Sequence, residues 1–389
     1  MSTVEATRSI PFGRPWITDE DRQAVMSVLE GHILTHGPQC HDFEAEFAAW
    51  IGRQAHCVTV SSGMAALHLA YLHFGIGPGD EVIVPAMTHI ATVHAVEWVG
   101  ARPVFVDCDP ATGNLTAAAI EAAITERTKA ISLVHFQGIP APMPEIMAIA
   151  EPRGIKVVED CALAVGSRIR GKHCGLFGDA ACFSFYPVKH FTTGEGGMFM
   201  SRHEDVVSAV ARLRAFGVNR RHDERSIPGM YDVPELGLNY RMSEMQAALG
   251  RSQLGRIDQM LAARDRNFRS LKAMLQEQSH LRILDVTDPN AVNSHYSMTV
   301  VLEGPLAKHR NTVILRLKEE GVGTSVYYPQ PVPRMTYYRE KYREDLSKFP
   351  VATEIADASI ALPVGPHIDE DDLRYICRQF QSILAEIQA

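Results

Sequence analysis

From about residue 57 the hydrophobic positions follow two alternating rhythms. Short runs such as HCVTV, EVIVP, PVFVD, KAISLVHF and IKVVED are rich in β-branched residues. Between them lie GMAALHLAYLHF, HIATVHAVEWV, TAAAIEAAI and MPEIMAIAE, whose apolar residues recur at helical spacing. Buried parallel strands read as near-continuous apolar runs, and amphipathic helices repeat every 3.6 residues. Gly, Pro and Asp punctuate the joins. The alternation predicts an α/β fold, with a mostly parallel sheet flanked by helices on both faces.

The rhythm changes after Arg241. The stretch MSEMQAALGRSQLGRIDQMLAARDRNFRSLKAML predicts one helix, a break near Gly255, and a second helix. HYSMTVVL and GTSVYY predict strands, KHRNTVILRLKEEG a helix, and DEDDLRYICRQFQSILAEI a final helix whose acidic start suits the positive end of the helix dipole. This reading gives a large domain over 1–260 and a smaller C-terminal α/β domain over 261–389, with the N-terminal segment free to pack on the small one.

Composition narrows the function. The chain has 389 residues, 46% hydrophobic and 22% charged, which is ordinary for a globular protein with a large core. A net charge of -8 argues against a nucleic-acid surface, which needs a basic face. The basic pieces SRIRGK (167–172) and NRRH (219–222) read as solvated loops. No run is apolar for long enough to span a bilayer, and the opening MSTVEATRSIPF lacks the apolar core of a signal peptide. The expected location is cytoplasmic. Seven cysteines without a CxxC pair support neither a disulfide framework nor a zinc site, and several read as small core residues. The 17 histidines show no HExxH-like spacing, so no metal is expected.

Four segments place chemistry at strand ends, where open α/β sheets bind ligands. In CVTVSSGMAAL a strand runs through Ser61, Ser62 and Gly63 into a helix, whose free N–H groups can cradle a phosphate. Serine there is also an ordinary helix cap. IKVVEDCA ends on Glu159 and Asp160, which read as an acidic cap or as a carboxylate aimed at a ligand cation. PAMTHIAT puts His89 just past a strand, as a satisfied cap or as a flat ring for a flat ligand. FSFYPVKHFTTGEGGM (183–198) carries Ser184 and Lys189 between two apolar runs. An isolated lysine is usually solvated.

Together these residues match the needs of one cofactor, pyridoxal 5′-phosphate (PLP). Lys189 supplies an amine for its aldehyde. Asp160 can hold the pyridine nitrogen protonated, making the ring an electron sink. His89 can stack on the ring. The backbone at Ser62, Gly63 and Met64, with the Ser184 hydroxyl, can hold the phosphate.

The pieces SSGMAALHLA, GDEVIVPAMTHIAT, VEDCALAVGS, FSFYPVKHFTTGEGGM and LGLNYRMSEMQAALG occur in the order of one family. From about Ile10 onward the chain resembles the DegT/DnrJ/EryC1/StrS family of PLP-dependent sugar aminotransferases. The resemblance implies a fold type I, aspartate-aminotransferase-like architecture and a homodimer with shared active sites. It implies transfer of an amino group from an amino acid, L-glutamate, to a nucleotide-linked keto-sugar, for amino-sugar, polysaccharide or glycoside biosynthesis. Lys189 matches the Schiff-base lysine, Asp160 the pyridine partner and Ser184 the phosphate serine. His89 stands where the family has Phe, Tyr or Trp. Asn239, in LNYRM, matches an asparagine that reaches the partner subunit's cofactor phosphate, and Arg241 sits close enough to that mouth to touch substrate.

This chain departs from the family pattern in three places. Met64 replaces a threonine, Leu163 a glutamine, and Pro333 stands near a usual histidine. Some relatives are sugar dehydratases with histidine in place of the lysine; here the lysine is kept and His190 follows it. A noncatalytic regulatory relative is the other alternative, and the intact Lys189 and Asp160 argue against it. An unrelated nucleotide-binding α/β protein would carry GxxxxGK[ST] or a strand-linked GxGxxG, and neither occurs.

Overall fold

The computed structural model describes residues 8–52, 54–219, 227 and 229–388. Two helices come first, α1 (Asp19–Leu29) and α2 (Pro38–Ile51). Then follow β1 (His56–Val60), α3 (Gly63–His73), β2 (Glu81–Pro85), α4 (Ile90–Trp98), β3 (Arg102–Val106), α5 (Ala117–Ala123), β4 (Thr128–Val134), α6 (Met143–Ala150) and β5 (Lys156–Asp160). A short hairpin, β6 (Arg168–Ile169) and β7 (Lys172–His173), precedes β8 (Ala180–Ser184), β9 (Gly197–Ser201) and α7 (Glu204–Leu213). The chain continues through α8 (Glu244–Leu254), α9 (Ile257–Leu275), β10 (Leu281–Ile283), β11 (Ala291–Val292), β12 (Met298–Leu302), α10 (Arg310–Glu319), α11 (Thr336–Tyr342), α12 (Pro350–Ala358), β13 (Ser359–Leu362) and α13 (Glu370–Gln388).

Seven strands form the main sheet in the order β1-β9-β8-β5-β4-β2-β3. Side chains alternate across it as the strand period demands. Val82 and Val84 join the core that includes Leu67 and Leu69 of α3 and Val93 and Val96 of α4, whereas Ile83 joins Ile120 of α5 and Ile146 of α6. Phe183 and Met198 meet Phe43 and Phe47 of α2. The apolar strands thus have helices on both faces.

Only β9 runs against its neighbours, antiparallel to both β1 and β8. The cause is its connection. β2 reaches β3, and β4 reaches β5, through a helix, and β5 reaches β8 through the β6–β7 hairpin, but β8 reaches β9 by a loop alone, so the chain turns back beside itself. Phe185 N donates to the Gly196 carbonyl at 2.9 Å and Thr193 N to the Phe185 carbonyl at 3.0 Å, closing that loop. Lys189 lies in it.

A second, antiparallel sheet, β10-β12-β13, carries the C-terminal part, with α9, α10, α12 and α13 around it. Ile10 joins this part through a parallel bridge to Val322. GTSVYY does not form the expected strand. Ser325 alone bridges Ala361, and the prolines at 329, 331 and 333 that follow cannot donate to a ladder. The SRIRGK segment is likewise not a solvated loop: it forms the β6–β7 hairpin, and the buried Ser167 hydroxyl donates to the Gly138 carbonyl at 2.6 Å. In NRRH, residues 220–222 lie outside the described residues. All seven cysteines are unpaired, six of them buried. No helix among the described residues is long and apolar enough to cross a membrane.

Candidate active site

The carboxyl ends of β1, β5 and β8 converge with the starts of α3 and α4. Ser62 caps α3, its hydroxyl accepting from Ala65 N at 3.1 Å. The N–H groups of Gly63 and Met64, in the first turn, have no partner among the described residues. Gly63 sits so close to the end of β8 that an added Cβ would lie 2.9 Å from the Ser184 Cβ. Gly197 of β9 packs against the same turn: a Cβ there would fall 2.5 Å from the Ser62 carbonyl carbon. The Ser184 hydroxyl makes no hydrogen bond among the described residues. Two open N–H groups and an open hydroxyl therefore gather around one helix N-terminus, and two glycines keep the space clear. The Met64 side chain turns away and packs on the hydrophobic core.

Asp160 ends β5 and is 5% exposed. Its Oδ2 accepts from Thr92 Oγ1 at 2.9 Å and its Oδ1 from Ala162 N at 3.0 Å. Glu159, one residue earlier, points to the opposite face. It accepts from the backbone N–H groups of Gly175, Phe177 and Gly178 and from His135 Nε2, at 2.6–2.9 Å. His135 Nδ1 accepts from Ala141 N, so this neutral imidazole donates through Nε2. His135, Glu159 and Cys161 cluster closely enough to resemble a metal site, but the imidazole and carboxylate lone pairs already serve N–H donors. Glu159 is a structural knot, and Asp160 is the residue presented at the strand end.

Lys189 is half-buried, with Nζ 5.3 Å from the centre of the Tyr296 ring. Burial pushes its pKa down to about 8, against the opposing pull of the Asp160 carboxylate. His190 faces elsewhere: fully packed, it donates through Nε2 to the Ser294 carbonyl at 3.2 Å. His89 caps α4 with Nδ1 accepting from Ala91 N, and its exposed ring meets Tyr328 edge-on at 5.7 Å. Desolvation, and next the Lys189 charge, lower its pKa and favour the neutral ring. Leu163 and Pro333 are both buried.

Asn239 and Arg241 lie beside the cradle, because Ser61 N donates to the Tyr240 carbonyl at 2.8 Å. Their side chains do not join Lys189. Arg241 donates to Asn239 Oδ1 at 3.0 Å and to His36 Nε2 at 2.7 Å, and stacks over Phe216, all at the surface. Sequence reasoning missed Thr88, Thr92, Tyr296 and Tyr328. The spacing of Thr88 and Thr92, one helical turn apart in PAMTHIAT, was the available signal for the first two.

The sequence model of the DegT/DnrJ/EryC1/StrS aminotransferase family matches residues 15–381. This chain belongs to that family. The aminotransferase is 38% identical to UDP-N-acetyl-3-dehydro-α-D-glucosamine 3-aminotransferase of Acidithiobacillus ferrooxidans, over 92% of each chain. It is 38% identical to GDP-perosamine synthase of Caulobacter vibrioides, over 96% of this chain and 98% of the other. Among solved structures, Spr1654 of Streptococcus pneumoniae in its PLP form superposes with a TM-score of 0.91 at 28% identity, covering 98% of this chain and all of that one. An aminotransferase from Psychrobacter cryohalolentis gives a TM-score of 0.89 at 30% identity, over 97% of this chain and all of the other. The architecture is that of a fold type I aminotransferase, and the cofactor is PLP. The residues in place fit it: open donors at a helix N-terminus, a lysine of lowered basicity, and a buried carboxylate with no ion-pair partner among the described residues.

Proposed function

We propose that the enzyme moves an amino group from an amino acid, L-glutamate, to the ketone of a nucleotide-linked sugar, in the making of amino sugars for polysaccharides or glycosides. Lys189 carries this reading: a half-buried amine, lowered in pKa, on the β8–β9 loop and within reach of the Asp160 charge. The relatives named above act on UDP- and GDP-linked compounds by their names, which supports the substrate class and leaves the base open to assay.

In this reading Lys189 Nζ would be the amine that holds the cofactor and, when free, would move the substrate proton as base and then acid. Asp160 keeps the pyridine nitrogen protonated. When bound, PLP supplies an electron sink for the carbanion formed next to the amine. Ser62, Gly63, Met64 and Ser184 would hold the phosphate, and the His89 ring would stack on the cofactor. Asn239 reaches the phosphate of a second subunit, and Arg241 contacts substrate at that shared mouth. Exposed Ile33, Leu34 and Phe216 beside this pair suit burial in a cytoplasmic homodimer. Residues 1–260 act as the cofactor domain and residues 261–389 as the small domain.

The test is a coupled assay of 2-oxoglutarate release with L-glutamate and a panel of UDP- and GDP-linked keto-sugars. Turnover of at least one is expected. Release from none of them, by protein that shows the cofactor's visible band, would overturn the substrate assignment.

A further inference from the structure

Asp160 is a charged group in a place that does little to hold it. It is buried, has no ion-pair partner among the described residues, and its backbone is fixed because Cys161 N donates to the Cys182 carbonyl at 2.9 Å. A buried carboxylate keeps its charge only if hydrogen bonds replace the lost water. Two are present, from Ala162 N and Thr92 Oγ1. The first is backbone and comes with the turn. The second is a side-chain choice.

Thr92 is fully buried among Val93, Ala95 and Val96, where valine would fill the same volume. Its one proton goes to Asp160, so its oxygen is left to accept. Thr88, also fully buried, lies 2.9 Å away just before α4 and shares a hydrogen bond with it. The two hydroxyls form a chain that ends on Asp160 Oδ2, and Thr88 Oγ1 also lies 3.4 Å from the His89 carbonyl. Toward an ionised Oδ2 the Thr92 hydroxyl donates; toward a protonated one it would have to turn and accept. His89 sits between the two threonines in sequence, so one short stretch would carry both the ring that stacks on the cofactor and the support of Asp160.

We propose that Thr92, itself oriented by Thr88, is a positioning residue that keeps Asp160 ionised and fixed toward the pyridine nitrogen of PLP. This rests on the reading of Asp160 as the pyridine partner. Thr92 acts through Asp160 and touches no substrate.

The experiment compares wild type, Thr92→Val, Thr92→Ser and Asp160→Asn. Two quantities are read: the PLP dissociation constant from titration of the apoprotein, and the pH midpoint of the visible band of the holoenzyme. Thr92→Val should weaken PLP binding roughly tenfold, in line with loss of a hydrogen bond to a charged group. It should move the midpoint in the same direction as Asp160→Asn, by less, and lower kcat more than it changes the KM for the amino donor. Thr92→Ser should restore both readings. If Thr92→Val leaves both unchanged while Asp160→Asn alters them, the positioning role is wrong. If Asp160→Asn alters neither, the assignment of Asp160 itself falls. Should Thr92→Val fail to fold, Thr88→Val reads the same two quantities with smaller changes in the same direction, and no change there overturns the hydroxyl chain.

Discussion

Replacing Lys189 with methionine should make the cofactor-free protein more stable at neutral pH. Burial lowers the lysine from its ordinary 10.5 to about 8. A gap of about 2.5 pH units, at 1.36 kcal/mol each, sets an upper bound of about 3.4 kcal/mol. The side chain is not sealed from solvent, so about 1–3 kcal/mol is expected. The sign follows from proton counting. Between pH 8 and 10.5 the unfolded chain keeps a proton that the folded chain has released, so wild-type stability rises with pH through that window. Below pH 8 both forms hold the proton and the penalty is complete. Lys189→Met should therefore show its full advantage at pH 7 and lose it as pH rises from 8 to 10.5. Urea unfolding of both apoproteins at pH 7, 9 and 10.5 measures this. The same lowering raises the unprotonated fraction at pH 7 by roughly 300-fold, and reductive methylation of the apoprotein should reach Lys189 with a midpoint near pH 8. Equal stability at pH 7, or an advantage that grows with pH, would refute the reasoning.

Gly197→Ala should destabilise the protein by about 1–3 kcal/mol and weaken PLP retention, because the new methyl group meets the backbone of Ser62 and Gly63, which cannot swing aside; an unchanged melting temperature would contradict this packing. Mixing the inactive variants Lys189→Ala and Asn239→Asp should restore activity toward half per mixed dimer, since one site receives both lesions and the other neither. No recovery after proven subunit exchange would place Asn239 within its own chain's site.

The alternation of strand and helix was readable because each buried parallel strand is an apolar run closed by Gly, Pro or Asp. The reversal of β9 was not, since it depends on β8 and β9 being joined by a loop that packs on itself. The helices α1 and α2 went unread, although Phe43, Phe47 and Ile51 of α2 recur every four residues on one buried face. GTSVYY has strand composition, but composition does not show whether a partner edge lies alongside for more than one residue. The Glu159-Asp160 pair was ambiguous as text. Adjacent strand residues face opposite ways, so only one could reach the cleft, and the sheet decides which. Lys189 stood out because an aromatic run ends on it, whereas Thr92 looks like any helical threonine until Asp160 is found against it.

The pairing of β1 with β9 has a consequence for synthesis. β1 lies at the end of the sheet and has no other strand neighbour among the described residues. Its partner leaves the ribosome about 140 residues later, a delay of roughly 7–28 seconds at 5–20 residues per second. Throughout that interval the nascent chain carries an unpaired strand edge, and for most of it the helix start that it feeds lacks both Ser184 and Gly197. The phosphate cradle proposed above is therefore complete only once the chain has passed residue 201 and β9 has closed on β1.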